Sequence, residues 1–291
     1  MFLLLLLYLL VSFGFILNKE SLLFATPFFL VGLRLFIAGG LLLVYYKFFR
    51  KQKIVIKKKD WILFGVIAVF GAFITNSFDL WGLQYLYAAK VSLIYMLSPF
   101  FGAIISYLYL KEPLSKSKFL GLFLGLGGLF VLLMGGKTGK LYDFSLADGA
   151  IIIAAFTTVI GWTAMKALVD DRSYSPILVN GVSLSLGGCL SLLASLFIEP
   201  WRPLPVTNAL YCMTFVIAAA LVAHIISYNL YAYLLKKYTV VFMTFASLCS
   251  PLFTAVLAYL FLGERVPRTF FISLLMIFVG MYFFYKDELR G

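Results

Sequence analysis

Two segments decide how this chain folds: SPFFGAIISYLYLKE, from Ser98 to Glu112, and SPLFTAVLAYLFLGE, from Ser250 to Glu264. Both open on Ser-Pro, run through aliphatic and aromatic residues, and close on Leu-x-Glu. Pro99 and Pro251 are 152 residues apart, and so are Glu112 and Glu264. At the same offset Gly128 meets Gly280 and Asn76 meets Tyr228, while a looser register of 147 pairs Gly14 and Lys19 with Gly161 and Lys166. The chain therefore reads as a duplication. The first copy is expected over residues 1–134, a connecting loop over 135–147, and the second copy with a short tail over 148–291.

The same apolar character extends over the whole chain. Of 291 residues, 63% are hydrophobic and 12% charged, with a mean hydropathy of +1.03. A soluble domain carries about 25% charged residues, so this composition excludes a soluble enzyme, a nucleic-acid-binding domain and a secreted disulfide scaffold. The net charge of +12 does not imply a nucleic-acid partner, because seven basic residues fall between Lys47 and Lys59, in one loop beside an apolar run. Anionic lipid headgroups favour that placement, so membrane lipids are expected partners and nucleic acid is not. Cys189, Cys212 and Cys249 lie in apolar segments without paired spacing, which indicates neither a disulfide framework nor a metal site. Met1 to Phe13 lacks a basic start and a small-x-small cleavage site, and reads as a retained first span.

Ten apolar stretches stand between charges, Pro and Gly: Phe2–Leu17, Pro27–Phe49, Trp61–Tyr85, Val91–Leu110, Phe119–Met134, Asp148–Leu168, Pro176–Ile198, Ala209–Leu235, Val240–Leu262 and Thr269–Tyr285. They are continuously apolar rather than alternating, so the sequence predicts membrane helices, not barrel strands. One side of the membrane collects the Lys47–Lys59 cluster with Lys111, Lys116, Lys118, Arg172, Lys236, Lys237, Lys286 and Arg290. That richer side is cytoplasmic by the positive-inside rule, which puts both termini in the cytoplasm of a multi-pass inner-membrane protein. Five spans per copy is an odd number, so the second copy enters the membrane upside down. Inverted repeats of this kind meet at a midplane substrate site and exchange conformations.

The residues carrying the repeat also resemble a known family. Two five-helix halves with Ser-Pro in each fourth helix, Asn18-Lys19 closing the first helix and Arg34 in the second are similar to the EamA branch of the drug/metabolite transporter superfamily. A tyrosine-rich turn before the fourth helix strengthens the likeness, which covers nearly the whole chain. The resemblance implies a ten-helix carrier without cofactors. Its members carry amino acids, drugs, nucleotide-derived compounds and S-adenosylmethionine. The chain departs from symmetry in having Ser183 in the second half near the place of Arg34 in the first.

Ionisable groups inside spans are costly and mark candidate sites. Lys19 lies about 26 Å from the cytoplasmic start of its helix, Arg34 about 10 Å and Asp79 about 9 Å from the outer face. These three share a depth, and Asp79 is expected to pair with Arg34 or Lys19, leaving the other cation for substrate. Lys166 is the repeat partner of Lys19, and both lysines are long enough to snorkel instead. His224 is the only histidine, placed for proton coupling or for packing. Asn76 and Asp79 lie within about 60° on one helix, with Gln84 about 80° away. His224, Tyr228 and Tyr231 share one face of the eighth span, with Asn229 beside them. Such stripes either line a cavity or join helices by hydrogen bonds, and their place on corresponding helices of the two halves favours the cavity. Tyr95, Trp81 and Trp162 add candidate stacking faces. Pro99 and Pro251 are expected to kink or hinge their helices. Glu112 and Glu264 read as capping or salt-bridging residues, and Gly121, Gly125 and Gly128 as a close-packing face.

Enzyme motifs are absent. Gly136-Lys137-Thr138 ends like a phosphate-binding loop, but Val131 stands where the leading Gly belongs. The expected function is a carrier or exchanger of a small polar metabolite. Because Lys19, Arg34, Lys166 and His224 outnumber Asp79, the charge count favours a substrate with a carboxylate or phosphate, zwitterionic and amino-acid-like; the family resemblance implies that an S-adenosylmethionine-type compound would suit the same set. A passive channel and a membrane-embedded lipid enzyme are the rival classes. The oligomeric state is not legible in the sequence.

Overall fold

A computed structural model describes residues 2–110, 116–134, 144–202, 204–238, 243, 246–265 and 268–285. The protein is an all-α membrane protein, and a lone antiparallel bridge between Ala25 and Val206 is the only β pairing among the described residues. Six helices are long and apolar enough to cross a bilayer: α1 (Phe2–Ser21), α2 (Pro27–Phe49), α3 (Lys58–Leu83), α6 (Leu146–Asp171), α7 (Pro176–Ile198) and α8 (Ala209–Leu234). Four others are α4, which runs as Ala88–Ile94, Tyr95–Leu97 and Ser98–Leu110, α5 (Lys116–Met134), α9 (Ser250–Leu262) and α10 (Arg268–Tyr285). Their order follows the ten apolar stretches read from the sequence. Glu112, the 136–138 segment, most of the 135–147 loop, the start of the ninth stretch at Val240, and both Lys286 and Arg290 lie outside the described residues.

Helix starts follow local chemistry. Pro27 and Pro176 open α2 and α7, where a missing N–H costs nothing. At α6, Ser145 and Asp148 form a capping box, and the Lys90 ammonium reaches the buried Asp148 carboxylate at 2.7 Å. The amides at the start of α2 have a less local partner. Phe28 and Phe29 donate to the two carboxylate oxygens of Glu199, at 2.8 and 3.0 Å, from the end of α7. Gly263 ends α9 with φ +64°, a left-handed turn that glycine adopts without a side-chain clash.

Packing runs between the two halves. Helix α2 lies along α7, and α5 lies along α10. Helix α1 packs on α9 and α8, while α6 packs on α4 and α3; α3 also meets α7, and α8 meets α2. Moving every number by five returns α2–α7 and α5–α10 to themselves and exchanges the remaining pairs with one another. Small residues make the approaches possible, as expected where lipid provides no hydrophobic drive. A Cβ on Gly39 of α2 would stand 2.5 Å from the Ser185 amide nitrogen of α7, and one on Gly188 of α7 would stand 2.5 Å from the Phe36 nitrogen of α2. The Gly121, Gly125 and Gly128 face meets α10: a Cβ on Gly280 would stand 2.7 Å from the Gly121 oxygen and 2.8 Å from the Gly125 nitrogen.

Helices α3 and α8 widen into π turns at Ile67–Ile74 and Ala220–Ser227. Wide turns loosen backbone acceptors, and side chains take them up. The Thr75 hydroxyl donates to the Phe70 carbonyl and the Ser227 hydroxyl to the Val222 carbonyl, each at 2.7 Å, in positions 152 residues apart. Tight 3-10 turns at Tyr95–Leu97 and Ser247–Cys249 share that offset and precede Ser98-Pro99 and Ser250-Pro251. Each proline follows its tight turn at the second position of the next helical segment.

Candidate functional site

The π turns and 3-10 turns surround a cavity of about 180 Å³ between α1, α3, α4, α6, α8 and α9. A single water needs about 10–15 Å³ by that measure, so the space has room for a small organic molecule. Its wall combines hydroxyls, amides and aromatic rings with one carboxylate.

Asn76, just after the wide turn of α3, is the hub. Its Oδ1 accepts from Arg34 Nη2 at 3.4 Å and lies 3.2 Å from His224 Nε2; its Nδ2 donates to the Tyr228 hydroxyl at 3.2 Å and to the Ala72 carbonyl at 2.8 Å. Arg34 also donates to the Asn18 side chain. His224 Nδ1 lies 3.2 Å from the Ala219 carbonyl, and a neutral imidazole can donate to only one of the two oxygens it faces. One turn along α3, Asp79 is buried on the cavity wall, hydrogen-bonded to Tyr95, and its Oδ1 has no partner. Aromatic rings line the same cavity: Trp162 stacks on Tyr231 with centroids 4.0 Å apart and planes at 23°, and meets Tyr228 edge-on at 5.1 Å.

The structure therefore gathers Asn76, Asp79, Tyr95, Trp162, His224, Tyr228 and Tyr231 on one cavity. Five other residues expected there lie off its wall. Arg34 is 2% exposed and stands behind Asn18 and Asn76. Lys19 turns to the end of α3 and donates to the Leu83 and Leu86 carbonyls at 2.7 and 2.6 Å. Lys166 does the same at the end of α8, donating to the Leu235 carbonyl at 3.0 Å and to Asp170 at 2.9 Å. Leu83 and Leu235 are again 152 residues apart, so the two lysines are equivalent caps on helix C-termini, where cations are favoured. Gln84 is exposed, and Asn229 accepts from Asn180 at 3.1 Å, away from the cavity. The expected ion pair is corrected as well. Asp79 makes none with Arg34 or Lys19, because each cation is already held by oxygens of its own.

This geometry reverses the charge argument made from the sequence. Three of the cations that favoured an anionic substrate are turned away, and Asp79 is the sole Asp, Glu, Lys or Arg on the cavity wall among the described residues. Counting residues missed several liners: Tyr8, Phe15, Asn18, Ser92, Thr158, Ser227, Ser247 and Ser250. Ser98, which also lines the cavity, and Ser250 carried a signal in the repeated Ser-Pro, and Asn18 in the Asn18-Lys19 pair. The others are single hydroxyls or rings in apolar runs, with nothing to mark them.

Comparison with known proteins bears on what such a cavity serves. A solved crystal structure shares the fold over 97% of this chain and 93% of its own, with a TM-score of 0.65 at 20% identity. The S-adenosylmethionine/S-adenosylhomocysteine transporter of Chlamydia muridarum (strain MoPn / Nigg) is 31% identical over 288 residues, covering 96% of this chain and 89% of the relative. The transporter of the same name from Chlamydia trachomatis serovar L2 is 30% identical, covering 96% and 86%. A profile of the EamA-like transporter family matches residues 1–134 and 145–286. With both of its repeat-length matches in place and relatives that are transporters rather than enzymes, this chain belongs to the EamA-like transporter family, within the drug/metabolite transporter superfamily.

Proposed function

We propose that this transporter is a secondary carrier of S-adenosylmethionine-type compounds, exchanging S-adenosylmethionine for S-adenosylhomocysteine across the cytoplasmic membrane. The observation that carries the reading is the cavity itself. It is walled by helices from both halves and offers a carboxylate together with stacked aromatic rings. An adenosyl amino acid has a planar base and a cationic end, which suits both. The printed function of the chlamydial relatives supports the same substrate class.

Alternating access follows from the pairing of helices. Contacts that map onto themselves when the halves are exchanged support an inverted repeat over 1–134 and 148–291. Such a repeat has two equivalent arrangements, one opening to each face. The basic cluster from Lys47 to Lys59 supports a cytoplasmic position for its own face of the membrane and for both termini.

The test is uptake of labelled S-adenosylmethionine into proteoliposomes, with methionine and other amino acids in parallel. Saturable uptake competed by S-adenosylhomocysteine is expected. Flux that rises linearly with concentration and is not competed would replace the carrier reading with a channel. Saturable uptake of free amino acids alone would replace the substrate.

A further inference from the structure

The Asp79 carboxylate is unusual among the buried charges. It is 6% exposed, it borders the cavity, and one of its oxygens has no hydrogen-bond partner. An acceptor buried without a donor costs free energy, more so when it is charged. The nearby charge of Arg34 offsets part of that cost without satisfying the oxygen, because the guanidinium is held by Asn18 and Asn76. Arg34 Nε is also unbonded, but it is off the cavity wall. The other groups near Asp79 are Tyr95, which bonds it, and Tyr228, which accepts from Asn76.

The duplication makes this oxygen one-sided. At the offset of 152 the partners of Asn76 and Asp79 are Tyr228 and Tyr231, so the first half brings a carboxylate to the cavity where the second brings aromatic rings. A carboxylate with an unpartnered oxygen is best met by a cation that also donates hydrogen bonds. An ammonium does so; a sulfonium carries charge but has no hydrogen to donate and suits the faces of aromatic rings instead.

We infer that the Asp79 carboxylate seats the α-ammonium group of the transported molecule, while the Trp162, Tyr228 and Tyr231 rings take its planar and sulfonium parts. This rests on the substrate reading above and adds to it a residue that sets specificity. S-Adenosylmethionine and S-adenosylhomocysteine both keep the ammonium, so both use Asp79. A nucleoside thioether without the amino-acid chain does not.

Equilibrium binding to the purified, detergent-solubilised protein, by titration calorimetry, tests it without requiring transport. The ligands are S-adenosylhomocysteine, its N-acetyl derivative and 5′-methylthioadenosine. In the wild type, acetylation removes the charge and is expected to weaken binding about ten- to hundred-fold, as for loss of a charge-assisted hydrogen bond. In Asp79→Asn the two compounds should bind with similar affinity, and methylthioadenosine should bind as it does to the wild type. The wild-type comparison stands even where Asp79→Asn fails to fold. An acetylation penalty that persists in folded Asp79→Asn, or no penalty in the wild type, would overturn the assignment and leave the substrate reading intact. Absence of binding by every adenosyl compound to the folded wild type would overturn both.

Discussion

Gly39 and Gly40 are neighbours on α2, yet the structure gives them opposite fates on substitution by alanine. A Cβ at Gly39 would lie 2.5 Å from the amide nitrogen and from the hydroxyl of Ser185, and 2.8 Å from the Gly181 carbonyl oxygen. Two of those atoms are backbone of α7 and cannot rotate away. Ordinary contacts lie near 3.5–4.0 Å, so α2 and α7 must separate by about 1 Å. Opening a packed interface by that distance forfeits about a quarter to a half of the dispersion at each affected contact. Overpacking of this type costs about 1–3 kcal/mol. A Cβ at Gly40 meets nothing within 4 Å. Both substitutions gain the helix propensity of alanine over glycine, about 0.5–1 kcal/mol, so the difference between the variants isolates the steric cost. Gly39→Ala is therefore expected to unfold at a temperature several degrees below Gly40→Ala in the same detergent, with Gly40→Ala at or slightly above the wild type. Equal shifts, or greater damage from Gly40→Ala, would refute the α2–α7 packing on which the arrangement of the two halves rests.

Three further outcomes follow from contacts described above. Glu199→Ala removes both acceptors from the start of α2, and should cost about 1–2 kcal/mol of thermal stability, with Glu199→Gln recovering part of it. Lys19→Met leaves the buried Leu83 and Leu86 carbonyls without their donor, and should destabilise by about 1–3 kcal/mol; Lys166→Met, at a more exposed site with one carbonyl acceptor, should cost less in the same unfolding assay. Burial pushes the Glu264 carboxyl above its usual range, against the opposing pull of Lys19 and of the Ala88 and Ala89 amides. A folded-state value raised in this way gives stability that is complete below about pH 4 and is lost as pH rises through the raised value. The wild type should therefore lose thermal stability relative to Glu264→Gln across that window; a wild type that instead gains on the variant as pH rises would show that the amide bonds and Lys19 outweigh burial.

The helices were legible because a bilayer forces long apolar runs, and the duplication because Ser-Pro and Leu-x-Glu recur at one spacing. Even the irregular turns before Pro99 and Pro251 obey that spacing. Half of the site was legible for a similar reason. Asn76 and Asp79 on α3, and His224, Tyr228 and Tyr231 on α8, are polar or ring stripes in apolar surroundings, and a stripe has to face the bundle interior. What the sequence hid was the choice of partner. Lys19, Arg34 and Lys166 have the charge to meet a substrate, but long side chains go where unsatisfied oxygens are, and helix ends and two asparagines supply them. Those oxygens belong to the backbone or to distant helices, so no count of charges reveals them. Glu199 was overlooked because its partners, the Phe28 and Phe29 amides, are about 170 residues away in the chain.

The central claim is that one cavity, reached in turn from each face, exchanges adenosyl amino acids. Counterflow measures this directly. Proteoliposomes loaded with unlabelled S-adenosylhomocysteine would be diluted into trace labelled S-adenosylmethionine, and the internal label followed with time. The account predicts a transient overshoot above the equilibrium level, because a carrier returns loaded faster than it equilibrates the pools. A monotonic rise to equilibrium, with the same rate in empty and loaded vesicles, would contradict it.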